Sequence, residues 1–319
     1  MEAVLHSEPI DLDVVREIIR SVNCKGEVVS LTRLHGGSTD AYRIDFADGT
    51  PALVLKTYPD GPHWIVKKEA LVAGWIGDRI GIAIPRWLAL DESRRFLPVR
   101  FAIMTWLPGV PVRSLIGTPD VEAAYRQMGA ALKRLHGIAM DAYGYIAGDG
   151  ISRPRSSNPE YMDSVFERAF RQFRELGGDA GLMQRLERAV RQRFEVLAYS
   201  LGAVLCHNDL QQGNVLAARD NEAGGLTLTG LIDFADAGAG EPLMDLALAL
   251  FCCAHEDPWS REPLLAGYGQ IQHPESETAL WLYTLYHRVV MWTHLKRRSI
   301  QGRAGDPVGL LRDLNEMCA

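Results

Sequence analysis

The residues with the clearest chemical potential lie in a polar loop between two apolar runs of the sequence. The loop covers residues 207–214 and carries a carboxylate, Asp209, followed five residues later by a carboxamide, Asn214. Another carboxylate, Asp233, ends a second apolar stretch, residues 231–232. Burying a polar loop between apolar strands costs free energy unless its polar groups have hydrogen-bond partners, so this pattern indicates a functional loop.

Asn214 and Asp233 lie at the ends of two strand-like runs that a turn connects, so folding can bring them side by side. Their oxygens are the hard ligands that Mg²⁺ prefers, with waters and phosphate oxygens completing the shell. Asp209 would then be free to orient a hydroxyl nucleophile and to accept its proton. The alternative interpretation is that all three residues only hold the loop and the turn in place.

Both motifs resemble those of the aminoglycoside phosphotransferase and choline kinase group, whose members are relatives of protein kinases. The first motif reads H-x-D-L-x-x-x-N, and the second, over residues 232–247, reads I-D-F-x-D-x-x-x-G-x-P-x-x-D-L-A. This resemblance implies that Asp209 is the catalytic base and that Asn214 and Asp233 are the ligands of Mg²⁺. It also implies a nucleotide, ATP with GTP as the alternative, as the phosphoryl donor.

Other residues of the two motifs are expected to have structural roles. The resemblance implies that Asp245 and His207 brace the catalytic loop. His136 ends a helical pattern, and we interpret it as a capping or packing residue, with a catalytic role as the alternative. Asp236 is expected either beside the metal or as the cap of a turn.

The first part of the chain contains candidates for nucleotide binding. Lys56 lies near the end of a strand-like run, and the resemblance implies that it holds the α- and β-phosphates and pairs with Glu69. An ordinary solvated lysine and glutamate are the alternative. The predicted phosphate-contacting hairpin tip comprises Gly36, Gly37 and Ser38. The predicted adenine-contacting hinge comprises Met104, Thr105, Trp106 and Leu107. The tip could also be a plain hairpin turn.

The acceptor is expected to be a small molecule, because only a short segment separates Asp233 from Asp245 and no A-P-E element follows. Our leading hypothesis is phosphorylation of an aminoglycoside or other antibiotic, which would give resistance. This hypothesis rests on the resemblance and on three acidic residues, Glu256, Asp257 and Glu262, which together with Asp236 could bind a cationic substrate. The alternative is that these acidic residues form a solvated surface. The alternatives are a kinase of an amino alcohol, homoserine or sugar, and a non-catalytic nucleotide-binding module.

The composition sets broader limits on the function. The chain has 319 residues and a formal net charge of −6, which argues against nucleic acid as the main partner. Its five cysteines form no CxxC pair, and no apolar run is long enough to span a membrane. We therefore expect a cytoplasmic protein without a signal peptide, present as a monomer or homodimer.

The periodicity of apolar residues predicts an α+β protein of two lobes, and the resemblance implies that the bilobal fold is protein-kinase-like. Residues 1–105 should form a nucleotide-binding lobe with an antiparallel sheet and one internal helix, and residues 106–319 a mainly helical lobe. The helices are expected at residues 11–22, 64–77, 121–136, 179–199 and 275–298, and the strands at residues 27–34, 41–46, 52–58, 87–91 and 96–105, with two short pairs within 204–232. Residues 148–159 are expected to form a loop, and residues 161–200 and 255–272 to shape the substrate pocket.

Overall fold

The N-terminal lobe is built around a five-stranded antiparallel sheet with the strand order β1-β2-β3-β5-β4. A computed structural model of the chain describes residues 10–34, 40–58, 62–219, 225–301 and 307–318. The strands are β1 (Val28–Leu34), β2 (Ala41–Phe46), β3 (Leu53–Tyr58), β4 (Trp87–Asp91) and β5 (Arg100–Thr105). The helices of this lobe are α1 (Leu12–Ser21) and α2 (Ile65–Ile76).

The two faces of this sheet carry different helices because successive residues of a strand point to opposite sides. Leu55 and Ile103 belong to the apolar cluster that includes α1. Met104, one position further along β5, belongs to the cluster with Val66 of α2. In β3, Lys56 follows Leu55, so its side chain lies on the opposite face of the sheet and points towards α2.

The C-terminal lobe is mainly helical, with a large apolar core formed by its helices and small sheets. Its helices are α3 (Val121–Leu135), α4 (Asn158–Glu175), α5 (Ala180–Arg193), α6 (Pro242–Glu256), α7 (Arg261–Tyr268), α8 (Ser276–Ile300) and α9 (Pro307–Met317). Short 3-10 helices cover Val112–Leu115, Phe194–Tyr199 and Pro258–Ser260. Every helix among the described segments is too short or too polar to cross a lipid bilayer.

Two small sheets of the C-terminal lobe support the polar loop identified in the sequence. Their strands are β6 (Val110–Pro111), β7 (Tyr143–Ala147), β8 (Gly150–Arg155), β9 (Val204–Cys206), β10 (Val215–Arg219), β11 (Leu226–Leu231) and β12 (Gly238–Gly240). One sheet has the order β11-β10-β6 and the other β8-β7-β12-β9. Because β9 and β10 belong to different sheets, the loop between them lies where the two sheets meet.

The predicted bilobal α+β class is confirmed, but several local predictions are wrong. Residues 148–159, predicted as a loop, contain β8 and the start of α4. Only one edge of β8 is paired, and half of its residues are exposed while none is buried, so it lacks the apolar alternation that identifies a strand. The predicted helix at 179–199 changes to a 3-10 helix after Arg193, and the strand predicted from residue 96 begins at Arg100.

The segment that connects the lobes passes close to the small sheet of β10 and β11. Gly109 has φ +114°, and a Cβ atom built there would lie 2.5 Å from Thr229 Oγ1 and 2.7 Å from the carbonyl oxygen of Ala217. Only glycine fits both the backbone conformation and this close approach. The division of the chain between residues 105 and 106 stays a prediction.

Candidate active site

The polar loop between β9 and β10 is held from beneath by one buried carboxylate. Asp245, in the first turn of α6, accepts hydrogen bonds from the backbone N–H of His207 at 2.6 Å and of Asn208 at 2.9 Å. Asn208 has φ +57°, a conformation that asparagine tolerates better than most residues. The loop therefore bends sharply over Asp245, as the bracing role predicted for that residue requires.

His136 extends this support to α3 and α7. Its Nε2 atom lies 3.1 Å from Asp245 Oδ2, and its Nδ1 atom lies 2.8 Å from the hydroxyl of Tyr268. Burial opposes ionisation of Asp245, but the hydrogen bond and charge of His136 outweigh it and lower the pKa of the carboxyl. His136 is thus a buried residue of the support, in line with the packing role that we expected.

Asp209 is surrounded by side-chain donors from its own loop. Asn214 Nδ2 donates to Asp209 Oδ2 at 2.7 Å and to its backbone carbonyl at 2.9 Å. Gln211 Nε2 donates to both carboxylate oxygens, at 3.1 and 3.2 Å. Burial raises the pKa of Asp209, whereas the hydrogen bonds from Gln211 and Asn214 act in the opposite direction. The carboxylate is therefore fixed in orientation while part of it faces solvent.

The strand pairing of β10 with β11 brings the end of the loop next to Asp233. Val215 is paired with Leu231, and the N–H of Ile232 donates to the carbonyl of Asn214 at 2.9 Å. Asp233 follows at once with φ +67°, a left-handed conformation that is uncommon for a residue other than glycine. His207 joins the two segments, since its Nε2 atom donates to the carbonyl of Ile232 at 3.2 Å. These contacts agree with the predicted role of His207 as a loop organiser.

Lys56 of the N-terminal lobe contacts both its own lobe and Asp233 of the other. Its Nζ atom lies 2.9 and 3.0 Å from the two carboxylate oxygens of Glu69 in α2, and 3.0 Å from Asp233 Oδ1. Burial alone would lower the pKa of Lys56, but the charge of Glu69 is the main influence that raises it overall. Lys56 likewise lowers the pKa of Asp233 against the effect of burial. We call Lys56, Glu69 and Asp233 the Lys56 cluster.

A second charged group contacts the loop near Asp209, and of its members only Glu256 was a candidate from the sequence. Arg113, in the 3-10 helix after β6, donates to the two oxygens of Glu256 from Nε at 2.7 Å and from Nη2 at 2.6 Å. The same Nη2 atom donates to Gln211 Oε1 at 2.8 Å. We call Arg113, Gln211 and Glu256 the Arg113 cluster. It links α6 to the loop and, through Gln211, to Asp209.

One protein-family model matches most of the chain. The model of the phosphotransferase enzyme family, APH, matches residues 30–280. The chain belongs to this family. It is thus a phosphotransferase with kinase-type chemistry.

Solved structures of aminoglycoside phosphotransferases share the fold of this phosphotransferase. The crystal structure of APH(4)-Ia has a TM-score of 0.69 at 16% identity, covering 97% of this chain and 98% of that chain. A thermostable APH(4)-Ia mutant in a ternary complex with AMP-PNP and hygromycin B has a TM-score of 0.68 at 17% identity, with 95% and 97% covered. The GDP and kanamycin complex of APH(2")-IIia has a TM-score of 0.66 at 16% identity, with 96% and 98% covered. Among curated proteins, no sequence match was found.

The side chains predicted to bind a metal have the chemistry that magnesium requires. Both hydrogen bonds described above for the Asn214 side chain use Nδ2, so Oδ1 is the atom that can face a cation. Asp233 is ionised, and Lys56 contacts only its Oδ1 atom. One carboxamide oxygen and one carboxylate oxygen, with water and phosphate oxygens, suit Mg²⁺. The assignment of these ligands stays a prediction.

The acidic residues predicted to contact a substrate have different surroundings. Glu256 is paired with Arg113. Asp257 is buried, accepts from the Tyr125 hydroxyl at 3.0 Å and caps the 3-10 helix through the N–H of Trp259 at 3.1 Å. The Asp257 carboxylate therefore has a structural role, and its contact with a substrate stays a prediction. Glu262 is exposed on α7.

The region around Asp236 contains a lysine that sequence reasoning missed. Lys68, the residue before Glu69, is fully buried, and its Nζ atom lies 3.8 Å from the ring centroid of Tyr145. That ammonium has no hydrogen-bond partner among the described residues. Burial lowers the pKa of Lys68 to about 8, although the charges of Asp236 and Glu69 oppose this effect. The backbone carbonyl of Asp236 accepts a hydrogen bond from the Asn208 side chain.

The predicted hinge lies at the end of β5, where the chain leaves the N-terminal sheet. Met104 is buried beside α2, and Thr105 Oγ1 accepts a hydrogen bond from the N–H of Arg86 at 2.9 Å. Trp106 donates its N–H to the carbonyl of Ala52 at 3.2 Å. Leu107 is buried as well. Adenine contact by these residues stays a prediction, and Gly36, Gly37 and Ser38 lie outside the described residues.

Proposed function

We propose that this phosphotransferase transfers the γ-phosphoryl group of ATP, bound with Mg²⁺, to a hydroxyl group of a small molecule. One observation carries the proposal: Lys56 of one lobe contacts Asp233 of the other, and Asp233 lies beside the loop in which Asn214 holds Asp209. The groups needed for the donor and the acceptor are thus adjacent in space. Nucleotide complexes of proteins with the same fold support the choice of a nucleoside triphosphate.

The residues of the Lys56 cluster suit the donor side of the reaction. Lys56 keeps its charge in the buried cleft and can neutralise the α- and β-phosphates, while Glu69 holds its ammonium in place. Asn214 Oδ1 and the Asp233 carboxylate would hold Mg²⁺. When bound, that ion neutralises charge on the phosphate oxygens.

Asp209 suits the acceptor side. Its carboxylate orients the acceptor hydroxyl and receives the proton as the acceptor oxygen bonds to the γ-phosphorus. The bond from the γ-phosphorus to the bridging oxygen breaks at the same time, and the electron pair leaves with ADP. Phosphoryl transfer depends mainly on positioning and on charge neutralisation, which matches a site of fixed donors rather than of reactive nucleophiles.

Replacing Asp209 tests the proposal against a non-catalytic nucleotide-binding module. The Asp209→Asn variant should lose on the order of 10²–10⁴-fold in turnover, the range of general acid–base catalysis, while binding ATP as the wild type does. Asp179→Asn, at the N-cap of α5, is a control of the same chemistry away from the site. A wild-type protein that binds Mg·ATP but neither hydrolyses it nor phosphorylates any acceptor would support the binding module instead.

For the acceptor, we propose an aminoglycoside or other antibiotic as the first candidate class. Hygromycin B and kanamycin are bound by proteins with this fold, and Asp236 and Glu262 remain as acidic groups for a cation. The test is a panel of antibiotics with ATP or GTP, read by mass spectrometry as a gain of one phosphoryl group. If no antibiotic gains one while the enzyme turns over with other alcohols, this class is wrong.

The Arg113–Glu256 pair favours a second candidate class, the metabolite kinases. The positive charge of Arg113 offsets the negative charge of Glu256, so this pair does not make the site beside Asp209 more acidic. Such a pair suits acceptors with both an amino and a carboxyl group, such as homoserine, better than a polycation. Including homoserine, amino alcohols and sugars in the same panel decides between the two classes.

A further inference from the structure

The carboxamide of Gln211 lies against the carboxylate of Asp209, the group proposed to receive the proton of the acceptor hydroxyl. Its Nε2 atom donates to both carboxylate oxygens, at 3.1 and 3.2 Å, and Asn214 donates to one of them. A carboxylate has about four acceptor sites, and these three hydrogen bonds occupy all but one of them. A hydroxyl group or a water molecule that binds Asp209 therefore competes with Gln211 for the carboxylate oxygens.

The orientation of this carboxamide is determined by its two neighbours. Arg113 can only donate hydrogen bonds, so the atom of Gln211 that faces it must be the oxygen. The ionised Asp209 can only accept, so the atom that faces it must be the nitrogen. The reversed amide would lose both interactions, and Gln211 is therefore held as a donor to the base.

Arg113 is itself anchored along three consecutive residues of the loop. Its backbone N–H donates to the carbonyl of Gln212 at 3.1 Å, and its Nη2 atom donates to Gln211. A Cβ atom at Gly213 would lie 2.9 Å from Arg113 Nη1, so this part of the guanidinium lies directly over the loop. Glu256 accepts two hydrogen bonds from the Nε and Nη2 atoms of the guanidinium. The arrangement keeps Gln211 in place without any bound acceptor.

We propose that Gln211 is a specificity-determining residue that discriminates an acceptor hydroxyl from water, with Arg113 as its positioning residue. The proposal rests on the proposed function, in which Asp209 is the base. An acceptor brings binding energy from its other groups and can displace the Gln211 bond, whereas a water molecule brings none. Gln211 therefore suppresses the hydrolysis of ATP until an acceptor is bound.

The suppressed side reaction has a simple balance. The oxygen of a water molecule bonds to the γ-phosphorus, the bond to the bridging oxygen breaks, and Asp209 takes a proton from the water. The products are ADP and phosphate. No further reactant is needed, so Mg·ATP in water is a complete assay of the proposal, whatever the natural acceptor is.

The experiment measures acceptor-independent ATP hydrolysis. Gln211→Ala should raise the rate about tenfold, which corresponds to about 1.4 kcal/mol, within the strength of one hydrogen bond to a charged group. Gln211→Met, which keeps the length of the side chain but cannot donate, should raise it as well. Arg113→Met should give a smaller rise. Arg126→Met is the matched control, because Arg126 forms an exposed ion pair with Glu122 on α3 and should leave the rate unchanged.

The double variant Gln211→Ala with Asp209→Asn separates this inference from the proposed function. If Asp209 is the base, the second substitution removes the rise. Unchanged or slower hydrolysis in both Gln211 variants, with melting temperature and KM for ATP as in the wild type, overturns the role of Gln211 alone. Hydrolysis at the wild-type rate in Asp209→Asn alone instead overturns the proposed function.

Discussion

The Lys56 cluster and the Arg113 cluster lie near different residues of the same loop and differ in burial. The side chains of Lys56 and Glu69 are 9% and 1% exposed, whereas those of Arg113 and Glu256 are 41% and 31% exposed. A buried ion pair that loses one partner leaves a charge without compensation, which costs several kcal/mol. An exposed pair contributes about 0–1 kcal/mol and is screened by salt.

This difference matches the two tasks that we propose for the clusters. The donor side must hold the same triphosphate in every turnover, and a buried network provides one rigid arrangement. The acceptor side must open to admit a molecule, and a half-exposed network can be displaced at low cost. Rigidity on the donor side and adaptability on the acceptor side are therefore properties of separate clusters.

The largest effect is expected for Lys56→Met. Removing a preorganised charge from the donor side should lower kcat/KM for ATP by on the order of 10²–10³-fold, the range observed for single groups that stabilise developing charge. Steady-state kinetics with varied ATP measures it. Lys67→Met is the control, since Lys67 is an exposed helix residue paired with Glu92. Equal losses in the two variants would contradict the special position of Lys56.

An intermediate effect is expected for Lys68→Met, on stability rather than turnover. The pKa of Lys68 in the folded protein is about 8, below the value of about 10.4 in an unfolded chain. Between these values the unfolded chain binds more protons, so wild-type stability rises with pH. At pH 7 the variant should therefore be more stable by up to about 3 kcal/mol, since one pKa unit corresponds to about 1.4 kcal/mol.

Urea unfolding at pH 7, 8.5 and 10 measures this difference. The advantage of Lys68→Met over the wild type should shrink as the pH rises from about 8 towards 10.4. Lys67→Met again serves as the control, because an exposed lysine should show little effect at any of these pH values. A difference that stays constant with pH would show that the charge of Lys68 is not the cause.

The smallest effect is expected for Glu256→Gln. The neutral side chain binds Arg113 more weakly than the carboxylate does. Acceptor-independent ATP hydrolysis should therefore rise by about twofold, a small effect because the ion pair is exposed. Added salt should bring the wild-type rate towards that of the variant, because it screens the same pair. Rates measured at low and high salt check this. A large effect of Glu256→Gln that does not depend on salt would contradict the view that the Arg113 cluster is held more weakly than the Lys56 cluster.

The residues nearest the chemistry were accessible to sequence reasoning because they occur in local motifs. Asp209 and Asn214 have a set spacing within one loop, and Asp233 ends a recognisable apolar strand. Lys56 lies near the end of a strand-like run, and the resemblance implied its pairing with Glu69 of the following helix. The assignment of roles to these residues stays a prediction, although the structure brings them together.

The Arg113 cluster could not be found in the same way. Arg113 precedes Glu256 by 143 residues, and no spacing rule connects a 3-10 helix to the end of a distant α-helix. Asp257 shows the same limit, because nothing in the neighbouring sequence indicates that its carboxylate is buried and accepts a hydrogen bond from Tyr125 of α3. The sequence shows which residues are charged or polar, but it does not show which residues they contact.

The sequence by itself determined the family, the bilobal fold class and the loop in which chemistry is possible. Those features depend on periodic apolar residues and on short motifs, and both are local properties of a chain. The tertiary structure was needed to show which charges are buried with partners, which remain exposed, and that Arg113 contacts Gln211 beside Asp209. Such contacts join segments far apart in sequence, and their geometry depends on the packing of both lobes together.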